Sequence, residues 1–267
     1  LVSGTDFRFG IALGTVDAGF AAKCRRAEEL GYDVISIPDH LGAPAPFPSV
    51  VAAAAATERM RVGTFVLNVP FYNPALLARD IQSTSTLTGG RFELGVGAGH
   101  MKSEFDDAGL PWWPSKIRIG FLAKTLEQLR ERVPDLPPLL IGGHGEGMLS
   151  LAAQHADIVG FSGIKQVPGK PPGTFEQADA DELGKRVAFV RDRAEREQEY
   201  NMLIQGVVPE DHPYAGAPQV LTGSPERMAE ELLARSERYG FTYYTVLEPS
   251  MEAFAPVIDL VRPRPRA

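Results

Sequence analysis

The residues best suited to chemistry in this chain fall in small groups, each directly after a short apolar run. Asp39 and His40 follow Asp33 to Ile37, and Asn68 follows Val62 to Leu67. Gly97-Ala98-Gly99-His100, with Glu104 just beyond, follows Phe92 to Val96. Gly142-Gly143-His144-Gly145 closes the run from Leu139, and Ser162-Gly163 follows Ile158 to Phe161. An imidazole beside a carboxylate suits proton transfer, because its unperturbed pKa of about 6.5 lets it gain and lose a proton near neutrality. Residues without side chains let a flat ring or a phosphate approach the backbone closely, and the free N–H groups of the helix opening at Gly145 suit an anion.

Three of the five histidines, His40, His100 and His144, lie at these positions. A structural role competes at each. His40 could close a loop or cap a helix, and His100 and His144 could hold a glycine turn or face solvent. Other chemistries find less support. No pair of histidines has the i, i+4 spacing of a helical metal site, and no histidine–carboxylate cluster follows a zinc pattern, so no metal is expected. Gly95-Val96-Gly97-Ala98-Gly99 is a poor dinucleotide fingerprint, because it sits on the fourth strand rather than the first. There is no Gly-x-Ser-x-Gly elbow for a serine hydrolase. Asp39, Glu104 and Glu248 could serve glycoside hydrolysis by position, but nothing in the sequence pairs them.

Positioning these groups falls to elements that alternate along the whole chain. Strands are expected at Arg8 to Ala12, Asp33 to Ile37, Val62 to Leu67, Phe92 to Val96, Leu139 to Gly142, Ile158 to Phe161, Met202 to Val207 and Tyr243 to Leu247. Helices are expected at Asp17 to Leu30, Pro48 to Ala56, Pro74 to Leu87, Ile117 to Arg132, Gly145 to His155, Asp179 to Glu197, Pro225 to Tyr239 and Met251 to Val261. Ser224-Pro225-Glu226 is a helix start, and Gly31 and Gly240 are placed to end helices. Alternating strands and helices predict a parallel sheet, and eight units suffice to close a (β/α)8 TIM barrel, whose sites form at the carboxyl ends of the strands. Val167 to Thr174 and Pro209 to Pro218 read as irregular loops on that side. The rhythm resumes after each, which predicts one domain over residues 1–267.

Composition bounds the rest. With 267 residues, 44% of them apolar, the chain has material for a sizeable core. A formal charge of −7 argues against a general nucleic-acid surface. The single cysteine, Cys24, forms no internal disulfide, and its plain role is a small buried hydrophobe. No apolar stretch is long enough to span a bilayer and no leader-like segment opens the sequence, so a cytoplasmic protein without membrane contact is expected.

Several stretches, taken in order, resemble the bacterial luciferase-like superfamily, in particular its branch using coenzyme F420. They are Phe9-Gly10-Ile11, Asp39-His40, Asn73-Pro74-Ala75-Leu76-Leu77-Ala78, Gly90-Arg91-Phe92-Glu93-Leu94-Gly95-Val96-Gly97-Ala98-Gly99, Leu140-Ile141-Gly142-Gly143, Ala152-Ala153-Gln154-His155-Ala156-Asp157 and Leu221-Thr222-Gly223-Ser224-Pro225-Glu226. The resemblance implies a luciferase-like barrel with Asp39 and His40 at the deazaflavin face, both catalytic, His40 in proton transfer and Asp39 helping or orienting it. It implies that Gly97, Ala98, Gly99 and His100 line the cofactor, with Gly142 and Gly143 at its ribityl-phosphate portion; His144 and Ser162 are further candidates for binding it. It also implies a non-proline cis peptide behind the ring, mapped to Leu67-Asn68-Val69, so that Asn68 and Val69 join the cofactor-binding set. The connections around Pro111-Trp112-Trp113-Pro114 and Pro209 to Pro218 are shorter than is usual in the family.

The function expected on these grounds is an F420-dependent oxidoreductase exchanging a hydride with a small organic substrate at the barrel mouth. Phe47, Phe71, Trp112 and Trp113 are candidate apolar walls, each more simply read as packing. An FMN-dependent monooxygenase is the alternative within the family, and a noncatalytic flavin-binding barrel or partner subunit the alternative outside enzymes. The resemblance further implies a homodimer.

Overall fold

The computed structural model describes residues 7–171 and 174–262. Its chain opens with β1 (Arg8–Ala12), α1 (Phe20–Glu29), β2 (Val34–Ile37), α2 (Pro46–Ala56), β3 (Arg61–Thr64), β4 (Leu67–Asn68), α3 (Pro74–Leu87) and β5 (Phe92–Gly97). A short α4 (Lys102–Asp107), a long α5 (Ser115–Arg132), β6 (Leu139–Gly143), α6 (Glu146–His155) and β7 (Ile158–Phe161) follow. The remainder comprises β8 (Ile164–Gln166), β9 (Phe175–Gln177), α7 (Ala180–Arg191), β10 (Glu199–Ile204), β11 (Gly206–Val207), β12 (Val220–Leu221), α8 (Pro225–Tyr239), β13 (Phe241–Leu247) and α9 (Met251–Val261).

The main sheet runs β3-β2-β1-β13-β10-β7-β6-β5-β4, every ladder parallel, and pairing of β3 with β5 closes it. β3 and β4 are two pieces of one stave: Val62 pairs with Phe92 near the bottom and Leu67 with Val96 near the top. The result is the expected eight-staved (β/α)8 barrel. Strands buried on both faces read as continuous apolar runs, and β2, Val-Ile-Ser-Ile, is buried throughout. The main core lies between barrel and helices, where Phe9, Ile35, Val62, Leu94, Ile141, Val159, Met202 and Tyr244 meet the inward stripes of the helices. A second, smaller cluster of Val34, Leu140, Ile158 and Tyr243, with Phe65 and Val66 against it, fills the barrel itself.

Helix ends follow local chemistry. Asn73 accepts hydrogen bonds from the N–H groups of Ala75 and Leu76 at the start of α3, and Ser224 caps α8 through the Arg227 N–H. Gly31 (φ +92°) and Gly240 (φ +80°) take the left-handed conformation where α1 and α8 end.

Two expectations need correction. The non-proline cis peptide joins Phe65 to Val66, in the break between β3 and β4, rather than lying within Leu67-Asn68-Val69. The predicted helix Asp179 to Glu197 ends at Arg191, because Gln198 turns back to donate to the carbonyls of Ala152 and Ala156 before β10 starts. The connection after β5 carries α4, its Lys102 paired with Asp106 one turn on, and residues 111–114 then lead directly into α5. Residues 167–171 and 174 are irregular, as expected, and connect the two strands of an antiparallel hairpin, β8–β9, in which the Gln166 side-chain amide donates to the carbonyls of Val167 and Pro171. Among the described residues, no helix is long and apolar enough to cross a membrane.

Candidate active site at the barrel mouth

Asp39 and His40 leave the carboxyl end of β2 in a turn that contains no regular element. Asp39 Oδ2 accepts the Asn68 backbone N–H at 2.9 Å and the Tyr72 hydroxyl at 3.0 Å, tying the second stave to the third. Desolvation raises its pKa, and these two hydrogen bonds oppose that rise. Burial, with Asp39 next to it, raises the Tyr72 hydroxyl as well.

His40 Nδ1 lies 2.7 Å from Oε1 of Glu104 on α4. An ionised carboxylate only accepts, so the proton of this contact belongs to Nδ1, and Nε2 is the nitrogen left for a reacting molecule. Glu104 is buried, whereas the His40 side chain keeps 39% of its surface. One partner is anchored and the other reaches the opening. Sequence reasoning placed Glu104 beyond the glycine turn but paired it with nothing. The feature that links it, the six-residue α4 after the glycine turn, is a helix that short polar segments rarely announce.

Gly97, Gly99, Gly142 and Gly143 each have a measurable steric reason. A Cβ on Gly97 would stand 2.8 Å from Val66 Cγ2, and one on Gly142 would stand 3.3 Å from Val66 Cγ1. The bareness of both residues therefore makes room for Val66, which forms an apolar shelf between β5 and β6, rather than only for a ligand. Gly99 needs its φ of +73°, and a Cβ there would meet Asn68 Oδ1 at 2.5 Å and the Phe105 ring at 2.8 Å. Gly143 is pressed by Met148, whereas Gly145, at the head of α6, faces open space.

Arg118, 6% exposed, braces the turn from α5. Its Nε donates to the Ala98 carbonyl at 3.0 Å, and its other nitrogens to the carbonyls of Gly99 and Trp113, while its plane lies 3.6 Å over the Trp112 ring. Burial lowers its pKa. Trp112 and Phe105 thus pack as a buttress, and Phe71 leans on Phe105. Trp113 packs against Phe121, and Phe47 against Tyr72 and Phe92. All four candidate wall aromatics have these packing partners. Val69 has no exposed surface and belongs to the core, so its side chain has no face to offer a cofactor.

The other two histidines join His40. The His40 and His100 rings meet edge-on, centroids 5.4 Å apart, and Phe175 of β9 lies 5.8 Å from His100 and 5.1 Å from His144. Desolvation first, then His40, His144 and Arg118 nearby, push the His100 pKa down to about 4. Desolvation first, then Arg186, does the same to His144, also to about 4. Both imidazoles are neutral at pH 7.

Buried polar atoms without partners test whether a polar heterocycle fits. Both amide atoms of Asn68, the Ser162 hydroxyl and both amide atoms of Gln219 are enclosed and unpaired, although buried polar groups are ordinarily hydrogen-bonded. Asn68 on the third stave and Ser162 after the seventh strand therefore offer hydrogen bonds to a ring edge or tail, and Val66 offers the apolar face between them. The residues present fit a flavin-like group. Gln219 was not foreseen, because a glutamine in a proline-rich segment carries no sequence signal for burial. Among the described residues, no group of three or more His, Cys, Asp or Glu could hold a metal ion.

Residues 18–116 match the family model described as luciferase-like monooxygenase. Over 115 residues, 40% of this chain and 34% of the relative, the sequence is 36% identical to an F420-dependent glucose-6-phosphate dehydrogenase of Amycolatopsis mediterranei. The matched stretches span about a third to a half of the length of the curated relatives. Among solved structures, the coenzyme F420 dependent tetrahydromethanopterin reductase of Methanopyrus kandleri superposes with a TM-score of 0.75 at 16% identity, covering 97% of this chain and 99% of that one. A long-chain alkane monooxygenase superposes with a TM-score of 0.78 at 11% identity, covering 96% and 91%. Likenesses at such identity speak for the fold, and the sequence match over residues 18–116, which contains Asp39, His40, Asn68, the glycine turn and Glu104, speaks for kinship. Over residues 18–116 the chain is similar to the luciferase-like monooxygenase family.

Proposed function

We propose that this protein is an F420-dependent oxidoreductase that exchanges a hydride with a small organic substrate at the barrel mouth. The observation that carries the reading is the His40–Glu104 pair, an imidazole anchored through Nδ1 with Nε2 free at an opening flanked by unpaired polar groups. The relatives named for F420 favour the deazaflavin over FMN. When bound, the deazaflavin supplies or accepts a hydride at carbon, in place of the N5 of a flavin. Asn68 and Ser162 would hold its polar edge and tail, Val66 would support its flat face, and the N–H groups at Gly143, His144 and Gly145 would take its phosphate.

The protein's own residues do the rest. Nε2 of His40 takes or gives the proton that accompanies hydride transfer, and Glu104 fixes the ring and steadies the imidazolium as it forms. Asp39 does not reach Glu104's role; committed to Asn68 and Tyr72, it locks the loop that carries His40. The homodimer remains part of the reading: the outward faces of α2 and α3 carry Ala52, Ala55, Leu76 and Leu87, the two leucines 52% and 67% exposed.

The test is a paired titration of F420 and FMN, read by fluorescence quenching, on wild type and His40→Ala. Tight F420 binding with weak FMN binding in both proteins, and turnover lost only in the variant, supports the reading. Preference for FMN would redirect it to oxygenase chemistry. Full turnover in the variant would reject His40.

A further inference from the structure

The rings of His40, His100, Phe175 and His144 form one continuous arc, in contact from the end of β2 across β5 to the β8–β9 hairpin and the head of α6. No step proposed above uses Phe175, and the arc begins at the candidate proton-transfer residue. The arc therefore offers a surface of rings to a molecule reacting at His40 Nε2.

Charge around the arc is one-sided. Glu104 and Asp39 place two carboxyl groups at its start. Four cations on the flanking elements are Lys102, paired with Asp106, Lys165, paired with Glu176, Arg186, bound to Glu182 and the Ile164 carbonyl, and Lys170, which is exposed in the hairpin connection. Arg118 spends its fork on three carbonyl oxygens and its face on Trp112. The neutrality of His100 and His144 at pH 7 agrees with this picture. A phosphorylated sugar needs a receptor of basic side chains or free N–H groups; the head of α6 offers N–H groups, but those are assigned to the cofactor. Flat rings, by contrast, gain from edge and face contacts with imidazole and phenyl.

We propose that the arc of His100, Phe175 and His144 is the substrate wall, and that it selects an uncharged organic molecule bearing a flat unsaturated ring rather than a sugar phosphate. This rests on the reading of the mouth as an F420-dependent active site. It departs from the glucose 6-phosphate named for the relatives, and it assigns Phe175 to substrate recognition.

Two nearly isosteric probes, 2-naphthamide and 2-naphthoate, differ mainly in charge and suit calorimetric titration into F420-loaded protein. The expected result is amide binding at least about ten-fold tighter than carboxylate, with Phe175→Ala weakening the amide about ten-fold and Phe175→Tyr restoring it. F420 affinity should stay within about two-fold in both variants, which also reports that each is folded. Equal or tighter binding of the carboxylate, no binding of either probe, an unaffected Phe175→Ala, or F420 reduction by glucose 6-phosphate would each overturn the proposal. Repeating the titrations without cofactor separates the two readings. If F420 does not bind but the amide preference and its Phe175 dependence persist, the wall stands and the cofactor assignment falls.

Discussion

The two ends of the barrel spend polar side chains in opposite ways. At the amino ends of the strands, Glu93 is 5% exposed and receives both Arg8 and Arg61 at 2.5 Å, while Arg8 also reaches Glu199 and lies 4.6 Å over the Tyr243 ring. Arg262 closes the same end by binding Asp33 at 2.8 Å. At the carboxyl ends, Asn68, Ser162 and Gln219 are buried without partners, and two histidines are held neutral by desolvation. Matched charges stabilise only as a complete set, whereas unmatched polar atoms cost stability unless a ligand meets them. The bottom therefore holds the fold, and the mouth gives up stability to keep hydrogen-bonding capacity for something else, as division of labour in such barrels requires.

Substitutions at the two ends should separate turnover from stability. His40→Gln keeps a polar side chain of similar reach but cannot transfer a proton near neutrality. It should lower kcat by about 10²–10⁴-fold and leave the melting temperature nearly unchanged; a large fall in stability with modest loss of kcat would reverse the assignment of this end. Glu93→Gln leaves two arginines facing a neutral amide, and should cost about 3 kcal/mol of stability while kcat at 25 °C is unaffected. Urea unfolding and initial-rate assays on the same preparation measure both.

Glycines sharpen the contrast within the mouth. Gly97→Ala would drive a methyl group to 2.8 Å from Val66, and overpacking of this kind costs about 1–3 kcal/mol. Gly145→Ala meets nothing within 4 Å and should fall within about 0.5 kcal/mol of wild type. If both variants lose stability equally, Val66 is not what dictates Gly97.

The barrel was legible because strand and helix periodicities are local: β1 and α3 have the expected bounds, and Ser224 and Gly240 bracket α8 as their types predict. The grouping of His40, His100 and His144 was legible too, since strand ends converge in a closed sheet. What escaped depends on contacts between distant segments. Glu104 meets His40 across 64 residues, and the α4 that carries it is only six residues long. Phe175 directly follows the segment Val167 to Thr174 that reads as loop, and strand pairing with Ile164–Gln166, which no local pattern announces, orients it. The cis peptide was placed too late because the stave breaks before Leu67, which no pattern of apolar residues marks.

The smallest effect separates the ends by pH. Unfolded His100 and His144 take up protons at about pH 6.5, but folded they do so only near 4. Between these values the unfolded chain binds more protons, so acid favours unfolding: their contribution is complete above about pH 6.5 and is lost as pH falls toward 4. Glu199 at the bottom has the opposite sign. Desolvation, opposed by Arg8, raises its pKa, so its contribution is greatest in acid and declines as pH rises through the folded value. The wild-type profile mixes both, and subtraction isolates each. His144→Gln should flatten the fall in melting temperature between pH 6.5 and 4, and Glu199→Gln should steepen it, because the term that favours the folded state in acid is removed. The shifts will be modest, since His144 is only half-buried and keeps part of its hydration. An unchanged slope in His144→Gln would mean that water reaches its imidazole freely, and the mouth would then be as well solvated as an ordinary surface.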